Sequence, residues 1–413
     1  MPGTETGLCV TKGMTDIHRF GGFTRLLTLV SPIGIALASC AAAAPGEKAD
    51  AATNTDAGFH TQVIAQFEEP WAMDFDEGTG ILLLTERKGT MKLRMPDGRI
   101  GQVSGMPKVA YGGQGGLGDV VFAPGQTSAG TSLNDRAIYL SWAEAGDGDT
   151  RGAVLGRGTL ACASPLACSL QGLKVIWRQQ PKVSGQGHYS HRIAFSPDGK
   201  YLFLSSGERQ KFTPAQDLST NLGKVLRLNL DGTPAAGNPF AAKGPPSDQI
   251  WSYGHRNLLG LAFDAQGRLW DMEHGPKGGD EINLIKPGQN YGWPLVSNGD
   301  NYDGTPIPRH ATRPDLTAPA ISWNPVIAPG DFIIYSGAAF PAWRGQALVG
   351  GMNPNVLVRV AFDGEKAREV SRTPMEHRIR EIEQGPDGAV WILEDGKEDG
   401  ASRLLKLTPA MSR

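Results

Sequence analysis

The stretch AFSPDGKYLFLSSGE (194–208) sets the reading of the whole chain. An apolar pair, Ala194 and Phe195, runs into Ser-Pro-Asp-Gly, and a run of Leu and aromatic residues follows. Pro and Asp-Gly make a tight turn, and the run after it suits a pleated, half-buried strand, so the pattern is that of a hairpin. The theme returns as DFDEGTGILLLTE (74–86), AFDAQGRLWDMEHG (262–275) and EQGPDGAVWILEDG (383–396), with a fainter copy in VVFAPGQTSAGTSLNDRAIYLSW (120–142). Recurrence at roughly 45–75 residues marks blades with loop insertions of different size. Five or six such units fit, and the fold predicted is an all-β, six-bladed β-propeller over 59–413. A β-sandwich is the runner-up, but it would not repeat one turn-and-strand theme from end to end.

Composition agrees. The 55 glycines and 29 prolines suit many short strands joined by turns rather than helices. Charged residues are 20% and evenly signed, so no basic face for nucleic acid is advertised.

The N-terminus reads as a leader. In RFGGFTRLLTLVSPIGIALASC (19–40), Arg19 and Arg25 precede an apolar run from Leu26 to Ala38, and small residues follow. That is a secretory signal, too short for a comfortable membrane span. Leu37-Ala38-Ser39-Cys40 resembles a bacterial lipobox, so cleavage before Cys40 would leave a lipid-bearing cysteine; an ordinary cut a few residues later is the alternative. The predicted organisation is a signal peptide of lipoprotein type over 1–39, a flexible tether over 40–58 and the propeller beyond. It implies a periplasmic protein, lipid-anchored to the outer membrane if Cys40 is acylated. Cys9 falls in the leader, and Cys162 and Cys168 flank a tight loop, which in an exported protein predicts a disulfide.

A propeller gathers loops from every blade at one mouth of its channel, so distant motifs can meet. Gln114 stands between glycine pairs in YGGQGGLGDVVFAP (111–124), where the backbone can approach a ligand closely. Arg256 and Asn257 enter a strand after a Trp/Tyr segment, and a buried arginine needs either a protein carboxylate or an anionic ligand. Arg378 and Arg380 share a strand face and call for an anion opposite them, unless the edge is exposed. In MEHGPKGGDEINLIKPGQNYGWP (272–294), Gly275-Pro276 exposes carbonyls, Asp280 and Glu281 are adjacent acids, and Tyr291 follows. Hard oxygen donors suit Ca²⁺ better than zinc, against the alternative of a solvated acidic loop. His188 and His191 sit in SGQGHYSHRIAF (184–195); as an isolated pair they read first as structural, then as a base, then as metal ligands.

Taken in order, GQGGLGDVVFAP, GHYSHRIAFSPDG, AQDLSTNLGKVLRLNLDGTPAAGNPF, IWSYGHRNLLGLAF, EHGPKGGDEINLIKPGQNYGWP and RIREIEQGPDG resemble the soluble quinoprotein sugar dehydrogenases of the glucose/sorbosone dehydrogenase group. The resemblance covers about residues 60–410. It implies a six-bladed propeller that binds pyrroloquinoline quinone and Ca²⁺ at the channel mouth and oxidises aldose sugars at C1. It implies His188 as the general base and Gln114, Arg256, Asn257, Arg378 and Arg380 as cofactor contacts. Gly275 and Pro276 match the carbonyls that hold the cofactor's calcium, and Glu281 and Tyr291 match a second, structural calcium site.

Three positions depart from the family pattern. The two glycines that follow its catalytic histidine are Ser190 and His191 here, and a lysine used against the cofactor stands as Asn353. The partners implied are an aldose and a separate electron acceptor, since no haem-attachment motif is present; the protein would be a monomer or homodimer. A non-enzymatic propeller that binds a carbohydrate or protein partner and a calcium-dependent lactonase are the competing readings.

Overall fold

Each quoted turn closes in the same way. In the computed structural model, which describes residues 53–54, 58–128, 130–396 and 402–410, Gly199 (φ +69°), Gly267 (+75°), Gly388 (+76°) and Gly80 (+67°) all adopt the left-handed backbone that glycine tolerates. Gly199 N–H donates to Ser196 O, Gly267 N–H to Asp264 O, and Gly388 N–H to Gly385 O. The chain then reverses from one strand into the next: Ser190–Phe195 pairs antiparallel with Tyr201–Ser206, and Asn257–Phe263 with Leu269–His274.

The strands form antiparallel meanders. Ser190–Phe195, Tyr201–Ser206, Lys224–Asn229 and Ile250–Tyr253 make one four-stranded sheet, and 257–323 and 329–374 make two more. A larger sheet divides into two such meanders, joined where Ile100–Ser104 runs parallel to Ala167–Arg178. The remaining sheet is closed by the chain's two ends: Phe59–Gln66 pairs with Arg403–Pro409, which continues into Val390–Glu394 and Ile379–Gln384. The described residues thus hold six four-stranded meanders. Thr53–Asn54 adds a short pairing to Phe59–Gln66, so the segment expected as tether ends inside a sheet. The leader, Cys9 and Cys40 lie outside the described residues.

The first strand of each meander contacts the first strand of the next. Contacts run from Pro70–Phe75 through Leu117–Phe122, Ser190–Phe195, Asn257–Phe263, Pro329–Ile334 and Ile379–Gln384, then back to Pro70–Phe75. This closed ring of inner strands is the propeller. Strand alternation builds the core between neighbouring sheets. Leu202 and Leu204 pack toward Tyr139 and Leu155 of the preceding meander, while Phe203 packs toward Leu258 and Leu269 of the following one.

Arg192 lies in the ring's interior. Its guanidinium reaches Glu381 at 2.6 Å and Asp119 and Asp331 at 3.6 Å, donates to Leu259 O, and stacks 4.1 Å from the Trp71 ring centroid. One buried cation therefore ties its own inner strand to the other five. Cys162 and Cys168 are bonded, as expected, across the paired strands Thr150–Ser164 and Ala167–Arg178.

Candidate active site

The glycine turns leave the inner strands at one end, and the candidate site lies where those strands begin. A cavity of about 250 Å³ opens there, lined by Trp71, Gln114, Ser190, His191, Asn257, Ala328, Arg378 and Arg380, among others. Contributions from all six meanders meet in it. Backbone strain gathers at the same place: His188, Ser190, His191, Arg209, Gln210, Phe212 and Ala328 all have positive φ without being glycine.

His188 is not itself part of the cavity wall; it precedes the lining residues Tyr189, Ser190 and His191 and bonds the lining residue Gln114. Its backbone N–H donates to Gln114 Oε1 at 2.7 Å, and its Nδ1 lies 2.5 Å from Glu208 Oε1. Glu208 also accepts from the Lys211 and Phe212 N–H groups, so the carboxylate is fixed. Burial holds the imidazole below its ordinary pKa, Arg256 adds to that, and Glu208 opposes it. Burial acts upward on Glu208, yet its hydrogen bonds and nearby cations leave it below the usual range. The ring is therefore neutral near pH 7, with Nδ1 engaged and Nε2 available. Such a ring can accept a proton from a bound hydroxyl.

Arg378 and Arg380 do share a face, and the anion opposite them is Asp395. Its carboxylate bonds Arg378 Nε at 3.0 Å and Arg380 Nη2 at 2.8 Å, and the pair holds its pKa at about 2 against the upward pull of burial. Both guanidiniums line the cavity, where they offer donors suited to an anionic ligand. Arg87, bonded to the Gly113 and Gly115 carbonyls and to Glu69, lines the same wall. Asn257 accepts from the Ser190 hydroxyl.

Arg256 lines a smaller adjoining void with Gly275, Glu281 and Tyr291, and His274 borders both spaces. Arg256 Nη1 donates to His274 O, its Nε has no hydrogen-bond partner, and the guanidinium stacks on Trp293. Asp280 is no solvated acid. It accepts from the N–H groups of Gly275, Ile327 and Ala328 and shapes the loop that presents Gly275 and Pro276. Glu281 is buried against Glu273, and burial with that like charge pushes its carboxyl well up. The Tyr291 hydroxyl donates to Leu284 O and accepts from Lys286 N–H, so it is turned away from the void.

Asp271 extends this cluster. It is fully buried, both carboxylate oxygens lack a hydrogen-bond partner, and its pKa is raised by burial and by Glu273. Ligand atoms of His255, Asp271 and Glu273 lie within 4.8 Å of one another. Asn353 is exposed next to the lining residue Met352.

Reading motif by motif missed Glu208, Asp395, Asp271 and Glu273. The signal was present: in four of the repeated units a carboxylate stands at or within two residues of the end of the second strand, at Glu86, Glu208, Glu273 and Asp395.

The fold and site define a β-propeller whose channel mouth pairs a buried histidine–carboxylate couple with a cation-lined cavity. The family model described as Glucose / Sorbosone dehydrogenase matches residues 67–406, and the chain belongs to that family. It is 35% identical over 353 residues to aldose sugar dehydrogenase YliI of Escherichia coli (strain K12), covering 83% of this chain and 91% of that protein. Its fold is similar to a crystal structure of a glucose dehydrogenase, with TM-score 0.76 and 36% identity over 85% of this chain and 99% of the other. It is also similar to the PQQ-bound form of an aldose sugar dehydrogenase from Streptomyces coelicolor, with TM-score 0.66 and 27% identity over 84% and 97% of the two chains. Its relatives include sugar dehydrogenases.

Proposed function

We propose that this protein oxidises the C1 hydroxyl of aldose sugars to the lactone, with pyrroloquinoline quinone as the hydride acceptor and Ca²⁺ as a second cofactor. The observation that carries the reading is the His188–Glu208 couple, bonded through the His188 N–H to Gln114 of a cavity wall that also carries Arg87, Arg378 and Arg380. A tricarboxylate cofactor suits those guanidiniums, and Arg256, whose Nε has no hydrogen-bond partner, supplies one more donor from the adjoining void. When bound, the quinone with its calcium supplies the two-electron acceptor that no side chain provides.

The chain's own part is positioning and proton transfer. His188 Nε2 takes the C1 hydroxyl proton as the C1 hydride leaves, and Glu208 stabilises the imidazolium that forms. Gln114, Asn257, Arg256, Arg378 and Arg380 hold the cofactor. The carbonyls of Gly275 and Pro276 hold its calcium; no backbone N–H donates to either among the described residues. Glu281, with the backbone carbonyl of Tyr291, holds a second calcium, which answers the surplus of buried carboxylates at Asp271, Glu273 and Glu281. The leader and Cys40 support export to the periplasm and a lipid anchor.

The test is reconstitution of the mature chain with the quinone and Ca²⁺, followed by dye-coupled oxidation across a panel of aldoses. Turnover that requires both additions is expected. No turnover with any aldose, together with no quinone binding by calorimetry, sinks the reading.

A further inference from the structure

His191 has a chemistry of its own at this cavity. It is 2% exposed, its ring stacks on Trp71 with centroids 5.2 Å apart, and it lines the cavity. Space for the ring exists only because residue 118 is glycine: a Cβ there would lie 2.0 Å from the ring's Cε1. Gly118 and His191 are therefore a fitted pair.

The ring's proton can be placed from its neighbours. Ser141 Oγ lies 2.8 Å from His191 Nδ1 and 2.9 Å from His191 O, and it accepts from Asp119 N–H at 2.9 Å. The hydroxyl has one proton and two acceptor lone pairs. Given to the buried carbonyl, that proton leaves Oγ to accept from both Asp119 N–H and Nδ1–H, and every group is satisfied. Given to the ring instead, it would leave the carbonyl without this donor. The ring is thus protonated on Nδ1 and bare on Nε2. Burial and the neighbouring Arg192 push its pKa down to about 3, so it stays neutral. Among the described residues no group bonds Nε2.

We infer that His191 is a specificity-determining acceptor, whose Nε2 takes a hydrogen bond from an N–H or O–H of the ligand in this cavity. The cavity wall otherwise offers mainly guanidinium and amide donors, which select acceptors. An imidazole lone pair adds the opposite preference and selects a ligand that carries a donor. The inference rests on the proposed function for its two candidate donors: the pyrrole N–H of the quinone cofactor, or a hydroxyl of the sugar.

Three variants separate the outcomes. His191→Gly removes the acceptor and suits the left-handed backbone at φ +64°. His191→Phe removes it while keeping ring volume over Trp71. His191→Gln returns an acceptor oxygen near the position of Nε2. Quinone affinity, measured by equilibrium dialysis with Ca²⁺ and no sugar, should fall about tenfold in the Gly and Phe variants and recover in the Gln variant, if the cofactor is the donor. If the sugar is the donor, quinone affinity stays level while the aldose KM rises by a similar factor at constant kcat. An imidazole ¹⁵N spectrum of the unsubstituted protein gives an independent readout, because Nε2 should shift when the donor binds. Equal quinone affinity and equal KM in all variants, with an unmoved Nε2 resonance, overturn the inference. Failure of the unsubstituted protein to bind the quinone overturns the functional reading instead, and the sugar titration of the ¹⁵N signal still decides the role of His191.

Discussion

Glu208 Oε1 stands 2.5 Å from His188 Nδ1, and its other oxygen is held by two backbone N–H groups. The carboxylate thus fixes the ring's tautomer and orientation and raises its basicity, while burial lowers it. The net shift is downward, so the histidine is a base already unprotonated at neutral pH.

A pH profile follows from that balance. A base works only when deprotonated, so kcat/KM should be lost as pH falls through the folded pKa of His188, with the acid limb centred below about 6.5, the ordinary value. Glu208→Gln removes the influence that raises the pKa. Its acid limb should move further down, and kcat should fall about 10²-fold through misorientation and lost stabilisation of the imidazolium. A limb that moves upward in this variant would contradict the assignment. His188→Ala should lose about 10²- to 10⁴-fold in kcat while its quinone affinity is retained.

Arg256 should show itself in cofactor affinity. Its Nε is buried without a partner, while its Nη1 bonds only a backbone carbonyl. Arg256→Met leaves no protein carboxylate side chain stripped of an ion-pair partner. Quinone affinity should drop at least about tenfold, the loss expected for a charge-assisted hydrogen bond, with little change in thermal stability. Unchanged affinity in equilibrium dialysis would remove Arg256 from the cofactor site.

The repeat of turn and strand was legible in the sequence because it is local: Pro and Asp-Gly bend the chain, and apolar runs pair beside it. His188, Gln114 and Asn257 were singled out by their motifs; the fold bonds the first two and lines the cavity with the last two. Their carboxylate partners were not read, because Glu208 and Asp395 act across strand boundaries, from the end of a second strand onto the start of a first. Arg378 and Arg380 raised the right question, but a charge that answers it from within the protein, Asp395, is 15 to 17 residues downstream. In the sequence Asp280 reads with Glu281 as part of an oxygen-rich calcium loop, with a solvated acid as the alternative, and its backbone partners are not legible there. Only the loop at 327–328, brought in by the next meander, buries it.

Calcium should decide the stability of the cluster around Glu281. Burial raises the folded-state pKa of Asp271 and Glu281, so the metal-free folded chain holds more protons than the unfolded chain. Its stability should fall as pH rises through the range above their ordinary values. Added Ca²⁺ should raise Tm and flatten that slope, by about 2.7 kcal/mol at a hundredfold excess over Kd. Glu281→Gln should melt higher than the unsubstituted chain in EGTA, since one repelling charge is gone, and should gain less from calcium. Calorimetry at two pH values with EGTA and with Ca²⁺ checks both signs. Identical calcium shifts in the two proteins would mean that Glu281 is not a ligand.

Arg192 gives the opposite case, a buried cation among acids. Glu381, Asp119 and Asp331 surround it from three inner strands, and Asp331 is already raised to about 7 by burial despite the guanidinium. Arg192→Met keeps the stem against Trp71 but leaves three buried carboxylates facing one another. Loss of one partner from such a cluster costs about 3–5 kcal/mol. Part of that cost can be relieved by protonation, because the carboxylates of the variant hold protons in the folded state that they release on unfolding. The variant should therefore be more stable near pH 5 than near pH 8, and the gap from the unsubstituted protein should narrow on acidification. Denaturant melts at the two pH values measure this. A gap that is constant with pH would mean that the three carboxylates do not depend on Arg192 for their charge.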